Sequence, residues 1–181
     1  MITGPSGVGK GTLIRELLAR IPELEMSISA TTRDPREGEE DGRDYHFLGR
    51  EEFDERADQK EFLEFATYSG NRYGTLRSEV ERCLDAGRSV VLEIEVQGAR
   101  QVRAAMPESV QVFIAPPEPI ALRRRLESRG TDSPEAIESR LSVAAQELAA
   151  QDEFDHRVVN DDRERAADEL ERIVRSELDA D

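Results

Sequence analysis

The chain of 181 residues lacks tryptophan and has only one cysteine, Cys83, and two histidines, His46 and His156. A single thiol excludes an intramolecular disulfide and a zinc site built from several cysteines. We interpret Cys83, which falls in a helical pattern, as a buried thiol, and we expect no metal site from two histidines so far apart. No apolar run approaches the roughly 18 residues of a membrane span, and no signal-like segment precedes the first motif. We therefore expect a cytoplasmic protein without a membrane partner.

Positive charge is outnumbered by negative charge, because the chain has 40 acidic and 25 basic residues and therefore a net charge of −15. Phosphate contacts supply most of the affinity of nonspecific nucleic-acid binders, so we expect no nucleic-acid partner. Lysine is rarest of all, since Lys10 and Lys60 are the two lysines of the chain. In a sequence that otherwise uses arginine, Lys10 indicates a position that needs the slimmer ammonium group.

Glycine, by contrast, is concentrated around that lysine, in the stretch G-P-S-G-V-G-K-G-T at 4–12. Glycines let the backbone turn tightly and point amide groups inward, and the amphipathic helical pattern at 13–21 completes an anion cradle. Lys10 can reach the β- and γ-phosphates of a nucleoside triphosphate. The predicted loop for the phosphates of a nucleoside triphosphate comprises Gly4, Pro5, Ser6, Gly7, Val8, Gly9, Lys10, Gly11 and Thr12.

Two features of this loop depart from the usual pattern. The hydroxyl that normally follows the lysine is displaced by one position, because Gly11 precedes Thr12. The strand that feeds the loop is reduced to residues 1–3, whereas strands usually have about 5–6 residues. We therefore expect the native protein to start upstream of Met1.

Strands and helices alternate along the rest of the chain, which predicts a parallel sheet covered on both faces. We predict strands at 26–29, 45–48, 61–68, 90–96, 110–115 and 156–160, and helices at 51–59, 75–86, 98–105, 119–128, 134 to about 150 and 163–178. Gly87 should end the second of these helices, and Ser133 with Pro134 should begin the fifth. The block 30–75 has antiparallel-looking strands and is the expected place for a second binding lobe.

The segment S-I-S-A-T-T-R-D-P-R-E-G-E-E-D-G-R-D-Y-H-F at 27–47 resembles the GMP-binding segment of guanylate kinases. The resemblance continues through E-F-L-E-F-A at 61–66, G-N-R-Y-G-T at 70–75, L-E-I-E-V-Q-G-A at 92–99 and I-A-P-P at 114–117. It also covers R-L-E-S-R-G-T-D-S at 125–133 and V-V-N-D-D at 158–162. These motifs follow the order of the family and span nearly the whole chain.

The resemblance implies an α/β, three-layer P-loop kinase fold with a parallel core sheet, a small mixed-β GMP-binding lobe and a mobile helical lid. It implies one domain over 1–181, with its core at 1–29, 76–124 and 154–181, its GMP-binding region at 30–75 and its lid at about 125–153. The implied activity is ATP-dependent phosphorylation of GMP and dGMP in purine nucleotide metabolism. Mg²⁺ would accompany ATP and be held by phosphates and water, without protein metal ligands. Both a monomer and a homodimer remain open.

The resemblance also assigns the acceptor site. Arg33 and Arg36 would grip the GMP phosphate, with hydroxyl hydrogen bonds from Tyr45 and Tyr73, while the neighbouring acids face water. Glu64 would accept the N1–H and 2-amino donors of guanine. Ser29 and Thr75 would stand at the acceptor side of the base. Glu95 occupies a place where the family usually has Asp, near the guanine amino group or the magnesium waters, and Glu93 could serve the same water shell.

The remaining assignments concern phosphoryl transfer. The resemblance makes Lys10, Arg125, Arg129 and Arg140 catalytic, because the arginines of the predicted lid would close on the transferring group. Gly130 and residues 131–133 would form the hinge of the lid. Asn160 would contact the adenine of ATP.

Two alternatives stay open at this stage. One is a related kinase that phosphorylates another phosphorylated acceptor. The other is a non-catalytic guanylate-kinase-like interaction module, which the intact Gly4, Gly9 and Lys10 disfavour.

Overall fold

A computed structural model of the chain describes residues 1–68, 70–129 and 133–179. The side chain of Arg129 also lies outside the description. The strands are β1 (Ile2–Thr3), β2 (Leu24–Met26), β3 (Ser29–Thr31), β4 (His46–Phe47), β5 (Phe62–Tyr68), β6 (Asn71–Leu76), β7 (Ser89–Val91), β8 (Val112–Ala115) and β9 (His156–Val159). The helices are α1 (Lys10–Arg20), α2 (Arg50–Asp58), α3 (Arg77–Asp85), α4 (Val96–Ala105), α5 (Pro119–Arg129), α6 (Pro134–Ala149) and α7 (Arg163–Leu178), with a short 3₁₀ turn at Gln151–Glu153.

The chain divides into two compact units. The first unit contains Met1–Pro22, Glu93–Val96 and Val110–Asp181. The second unit contains Glu23–Leu92 and Gln97–Ser109. The division into core, GMP-binding region and lid that the resemblance implies stays a prediction.

The first unit is built on a parallel sheet with the strand order β1-β8-β9. Its central strand, β8, is buried at all four positions, as expected of a parallel strand covered on both faces. Val96, Phe113, Ala115 and Ala150 form a buried cluster against which Phe154 packs. The predicted strand at 110–115 is thereby confirmed over its last four residues, Val112–Ala115.

The feeding strand β1 is short but firmly held. Ile2 pairs with Val112 on β8 and forms a further parallel bridge to Glu93. The backbone N–H of Val112 donates to the carbonyl of Met1 at 2.9 Å. Two strand residues therefore suffice to position the glycine-rich loop that follows.

Helices α1 and α7 of the first unit bury complementary apolar faces. Leu13, Ile14 and Leu17 of α1 are buried, as are Leu170 and Ile173 of α7. Arg20 joins the two helices at their surface, because it donates to Asp168 at 2.6 Å and to Glu171 at 3.1 Å. The predicted helices at 13–21 and 163–178 are confirmed, with α1 beginning already at Lys10.

The second unit contains a mixed sheet with the order β4-β3-β6-β5 and a separate parallel pair, β2 and β7. Strand β6 is antiparallel to both of its neighbours, whereas β4 is parallel to β3. Ala30, Phe53, Phe62 and Leu76 form its buried cluster, in which the rings of Phe53 and Phe62 stack at 4.3 Å between centroids. The expected mixed-β lobe is present, although the segment at 45–48 pairs in parallel.

Three predicted boundaries are wrong for identifiable reasons. The single strand expected at 26–29 is two strands, β2 and β3, because the chain leaves its pairing with β7 and joins β6 instead. The run at 90–96 is regular strand only at Ser89–Val91, since the partly exposed Glu93 and Glu95 interrupt the apolar run and α4 begins at Val96. The helix expected from 75 begins at Arg77, because Thr75 and Leu76 pair with β5.

Two predicted helix signals are confirmed. The hydroxyl of Ser133 accepts a hydrogen bond from the N–H of Ala136 at 3.3 Å, and Pro134 is the first residue of α6. Gly87 follows the end of α3 with a left-handed φ of 69°, and its N–H donates to Leu84. No helix in the described ranges is long and apolar enough to span a membrane.

Candidate active site

The glycine-rich loop lies between β1 and α1 in the first unit. Gly4 has a φ of 152°, and a Cβ there would stand 2.3 Å from the carbonyl oxygen of Ile114, so a side chain would collide with β8. Gly9 has a φ of 100° and directly precedes α1. The N–H of Val8 donates back to Pro5 at 3.1 Å and closes a turn between these glycines. Only glycine fits the start and the end of this loop.

Lys10 is turned into the loop. The residue is only 8% exposed, and Nζ donates to the carbonyl of Gly4 at 2.5 Å. Nζ also stands 3.8 Å from Oε1 of Glu95. The ammonium group is therefore held at the centre of the loop, with a carboxylate beside it.

Three carboxyl groups of the first unit surround this ammonium. Burial is the main cause that raises the pKa of Glu93, with Lys10 acting in the opposite direction. Burial, and then a hydrogen bond with Glu95, raise the pKa of Glu147 from 4.5 to about 9. Burial and the neighbouring carboxylate of Glu95 therefore both favour the protonated form of Glu147.

Gly11 and Thr12 occupy the first turn of α1. A Cβ at Gly11 would meet the carboxylate of Glu93 at an ordinary contact distance of 3.7 Å. The Thr12 side chain is exposed, and its hydroxyl accepts from Arg15 at 3.5 Å. The carboxylate of Glu93 therefore stands beside the position at which the usual motif has its hydroxyl.

Two of the predicted arginines contact the loop directly. Arg125 of α5 donates to the carbonyl of Val8 at 2.8 Å and to that of Asn160 at 2.7 Å. Arg140 of α6 donates to the hydroxyl of Ser6 at 2.7 Å. Arg129 is the last residue of α5, and its side chain lies outside the described part, as do Gly130 and residues 131–132 of the predicted hinge.

Asn160 follows β9 and is buried beneath the loop. Its amide Nδ2 donates to the carbonyl of Val8 at 2.7 Å and would stand 2.7 Å from a Cβ at Gly9. The side chain thus supports the loop. Its predicted contact with adenine stays a prediction.

The three residues predicted to surround guanine stand in one row of the second unit. Ser29 on β3 pairs across the sheet with Thr75 on β6, and Thr75 pairs with Glu64 on β5. The hydroxyl of Thr75 donates to Oε1 of Glu64 at 2.8 Å. Glu64 is only 4% exposed and Thr75 only 1%. A carboxylate and two hydroxyls therefore share one level across three adjacent strands.

A β-bulge directs Glu64 into this row. The pairing of β5 with β6 shifts between Phe62 and Glu64, so Phe62, Leu63 and Glu64 are all buried. Beyond the bulge the alternation of a half-buried strand resumes. An extra residue in one strand re-aims the side chain that follows it, and here that side chain is a carboxylate.

The predicted phosphate-binding residues also lie in the second unit. The guanidinium of Arg33 stands 5.4 Å from the centre of the Tyr45 ring, and the rings of Tyr45 and Tyr73 meet edge to face at 6.2 Å. A hydrogen bond to Glu39, 2.9 Å long, is the main cause that raises the pKa of Arg33, and a bond with Tyr73 contributes. The structure brings Arg33, Tyr45 and Tyr73 together. The side chain of Arg36 is exposed beside them.

Glu39 was not identified from the sequence, and the expectation that the acids of this segment face water is wrong for it. Its carboxylate accepts from Arg33 and from the backbone N–H of Arg36 at 2.7 Å, and these bonds hold its pKa below its usual value. Glu147 was also missed, because one acid in a long helical pattern has no local signal. The roles of Glu39 and Glu147 can be recognised only from the three-dimensional structure, which shows Arg33 beside Glu39 and Glu95 beside Glu147.

Comparisons with known proteins agree with this geometry. A family model for guanylate kinase matches residues 1–177. The chain belongs to the guanylate kinase family. The P-loop kinase fold expected from the sequence is thereby confirmed, as is the resemblance of its acceptor segment to this family.

Relatives within the guanylate kinase family match over nearly their full length. A guanylate kinase from Rubrobacter xylanophilus is 54% identical over 175 residues, which is 97% of this chain and 92% of the relative. One from Prochlorococcus marinus is 52% identical over 176 residues, with 97% and 96% covered. The crystal structure of a guanylate kinase from Anaplasma phagocytophilum superposes with a TM-score of 0.78 at 36% identity, covering 98% of this chain and 85% of that one.

Proposed function

We propose that this protein is an enzyme that transfers the γ-phosphoryl group of ATP to GMP, giving ADP and GDP. The observation that carries the proposal is the cross-strand row of Glu64, Thr75 and Ser29, with Glu64 and Thr75 buried, in a chain that belongs to the guanylate kinase family. The first unit would bind ATP and the second unit GMP.

The row of Glu64, Thr75 and Ser29 has the polarity that guanine needs. The carboxylate of Glu64 would accept from N1–H and the 2-amino group, and the hydroxyls would serve the acceptor side of the base. Adenine would present the lone pair of N1 to the carboxylate, and a buried polar mismatch of this kind costs on the order of 10⁴-fold in discrimination.

The cluster around Arg33 would bind the acceptor phosphate. Arg33 offers a planar fork of donors that suits phosphate oxygens, and Tyr45 and Tyr73 carry hydroxyls beside it. Glu39 orients Arg33 from behind, while Arg36 supplies a second cation. Among the acids of this segment, Glu39 would serve to position Arg33 for the phosphate.

Transfer to the acceptor would rely on alignment and neutralised charge. The ammonium group of Lys10, at the centre of the loop, would stay in contact with the β- and γ-phosphates during the transfer. Arg125 and Arg140, which already contact the loop, would turn to the transferring group together with Arg129. An oxygen of the GMP phosphate forms the new bond to phosphorus, while the bond to the β–γ bridging oxygen breaks and leaves ADP.

Magnesium would be carried by ATP. In residues 1–68, 70–129 and 133–179, no three His, Cys, Asp or Glu side chains are grouped to hold a metal ion. Glu93, whose carboxylate stands beside Gly11 in the first turn of α1, fits a place in the water shell of such an ion. When bound, Mg²⁺ would neutralise phosphate charge.

A panel of acceptors tests the proposal. Purified protein with ATP and Mg²⁺ should turn over GMP and dGMP, with kcat/KM for AMP, CMP and UMP lower by about three orders of magnitude or more. Faster turnover of AMP than of GMP would refute the guanine assignment. Absence of turnover with every acceptor would favour a non-catalytic interaction module.

The Glu64→Gln variant tests the assigned residue. The amide offers one oxygen where the carboxylate offers two, so kcat/KM for GMP should fall by about 10²-fold while the KM for ATP is unchanged. Glu61→Gln is the matched control, because Glu61 is exposed one residue before β5 and should leave both parameters unchanged. Equal effects of the two substitutions would move guanine recognition away from Glu64.

A further inference from the structure

Helix α4 lies against the strand that carries Glu64. In the described sheet β5 is an edge strand, since its neighbour on one side is β6. On its open side, the N–H of Phe65 donates to Oε1 of Gln101 at 3.2 Å, and the carbonyl of Phe65 accepts from Nε2 of Gln101 at 2.9 Å. The side-chain amide of Gln101 thus pairs with Phe65 as a neighbouring strand would. It fixes the residue directly after Glu64.

Gly98 stands one helical turn before Gln101 and faces the same strand. A Cβ at Gly98 would lie 2.3 Å from Oε2 and 2.9 Å from Cδ of Glu64. Real Cβ atoms do not approach other atoms so closely, so any side chain at this position would displace the carboxylate. Gly98 is itself buried, as is Glu64.

Backbone conformation does not explain this glycine. Gly98 lies inside α4 without a left-handed φ, and alanine stabilises a helix interior relative to glycine. Helix stability alone would therefore favour alanine. The feature that requires glycine is the space taken by the Glu64 carboxylate, which Thr75 holds from the other side.

We propose that Gly98 and Gln101 are positioning residues for guanine recognition: Gly98 leaves room for the Glu64 carboxylate, and Gln101 fixes the strand that carries it. The four residues Glu64, Phe65, Gly98 and Gln101 all belong to the second unit. The inference rests on the proposed function, since it names the residues that hold the base-reading carboxylate in place. Gly98 and Gln101 would support Glu64 without contacting the base themselves.

The first experiment introduces Gly98→Ala into the chain of 181 residues. The KM for GMP should rise by at least about tenfold, because the carboxylate is pushed from Thr75, while the KM for ATP stays unchanged. The helix preference of alanine and the loss of the buried Thr75–Glu64 hydrogen bond act on stability in opposite directions, so thermal unfolding of the variant should remain cooperative and its KM for ATP separates the effect on GMP from unfolding. Gly49→Ala is the control, because a Cβ there meets nothing within 4 Å and its φ of −64° suits alanine.

A rescue experiment separates positioning from general damage. Asp is one methylene shorter than Glu, so Glu64→Asp should weaken GMP binding alone but make room for the added methyl group when combined with Gly98→Ala. We therefore expect the KM for GMP of the double variant to be no higher than the larger of the two values for Gly98→Ala and Glu64→Asp alone. Losses that multiply in the double variant would overturn the proposal.

Gln101→Met tests the second positioning residue, because methionine keeps the length of the side chain and lacks the amide. The KM for GMP should rise by about threefold to tenfold, with no change in the KM for ATP. Gln97→Met on the exposed side of the same helix is the control and should leave both values unchanged. Equal KM values for GMP in the two methionine variants would remove Gln101 from the proposal.

The outcomes distinguish this proposal from the proposed function. If the wild-type protein does not phosphorylate GMP, the proposed function fails and this inference fails with it. If the wild type does so and Gly98→Ala keeps the wild-type KM for GMP, only the positioning of Glu64 by Gly98 is refuted. A crystal structure of Gly98→Ala with the Thr75–Glu64 hydrogen bond intact would refute it independently of kinetics.

Discussion

Lys10 and Lys60 are the two lysines of a chain that otherwise uses arginine, and their surroundings are opposite. Lys10 is buried against the carbonyl of Gly4, whereas Lys60 is exposed after α2. The contrast makes the two positions a matched pair for the same substitution.

Lys10→Arg should lower kcat by about 10²-fold or more, because a guanidinium is too broad for the space that the ammonium fills and misplaces charge at the phosphates. Lys60→Arg should keep the wild-type kcat. GMP binding, followed by calorimetry without ATP, should be equal in both variants. Wild-type turnover by Lys10→Arg would show that the loop does not require lysine.

Glu147 gives a pH dependence with a definite sign. In the folded protein its pKa is about 9, whereas 4.5 is the ordinary value that the unfolded chain should show. Between these values the folded protein keeps a proton that the unfolded chain has lost, so this group makes the free energy of unfolding fall as pH rises from about 4.5 to about 9. The contribution is fully favourable below the lower value and lost above the upper one.

Glu147→Gln should therefore stabilise the protein at high pH. The amide stays neutral, so the stability of the variant should gain on the wild type as pH rises from 5 to 9, by an amount on the order of a few kcal/mol that thermal unfolding at each pH would measure. Asp152→Asn removes an exposed carboxylate nearby and should give a curve parallel to the wild type. Parallel curves for Glu147→Gln and the wild type would mean that Glu147 is ionised in the folded state.

At the scale of single elements, α7 depends on the residue that precedes it. The carboxylate of Asp162 accepts from the N–H of Arg165 at 3.0 Å and caps the helix. The helix then buries Ala166, Ala167, Leu170 and Ile173. Fraying of its first turn would therefore expose core residues of the first unit.

Asp162→Ala should lower the free energy of unfolding by about 1 kcal/mol, since a lost N-cap leaves a backbone donor unpaired. Asp162→Asn keeps the capping oxygen and should lose much less. Denaturant titration measures both, with an unchanged slope. An equal loss in the two variants would assign the effect to the charge of Asp162 and not to the cap.

The elements also show what could be predicted from the sequence. In helices such as α1 and α7, apolar residues recur at helical spacing along the whole element, so the local pattern is sufficient to predict them. The burial of Glu64 could not be predicted, because alternation along β5 ignores the bulge between Phe62 and Glu64. Glu39 and Gly98 were missed for the same physical reason: each is defined by a side chain on another part of the fold, and neither changes the local pattern.

At the scale of the whole molecule, the net charge of −15 affects the stability of the folded state. Self-repulsion of excess like charge destabilises a compact state. Salt shortens the Debye length from about 30 Å at 0.01 M to about 8 Å at 0.15 M. Added salt should therefore stabilise this protein, mostly in that low range.

Between 0.01 and 0.15 M NaCl at pH 7.5, the unfolding temperature should rise by about 2–4 °C, which corresponds to about 1 kcal/mol for a chain of this size. The same series near pH 5 is the control, because the isoelectric point of about 4.7 leaves little net charge there. A salt response equal at both pH values would exclude self-repulsion as its cause.

The hydrogen bonds of Arg125 and Arg140 to the loop have a consequence for nucleotide affinity. If it turned to a phosphate, Arg125 would give up the neutral carbonyl oxygens of Val8 and Asn160, and Arg140 the hydroxyl oxygen of Ser6, for charged oxygens. The net gain is the difference between the two bonds. Because both long side chains already have fixed partners, the exchange costs little rotamer entropy. In the proposed function, the phosphates of the nucleotide would therefore compete with oxygens of the protein for the same two cations.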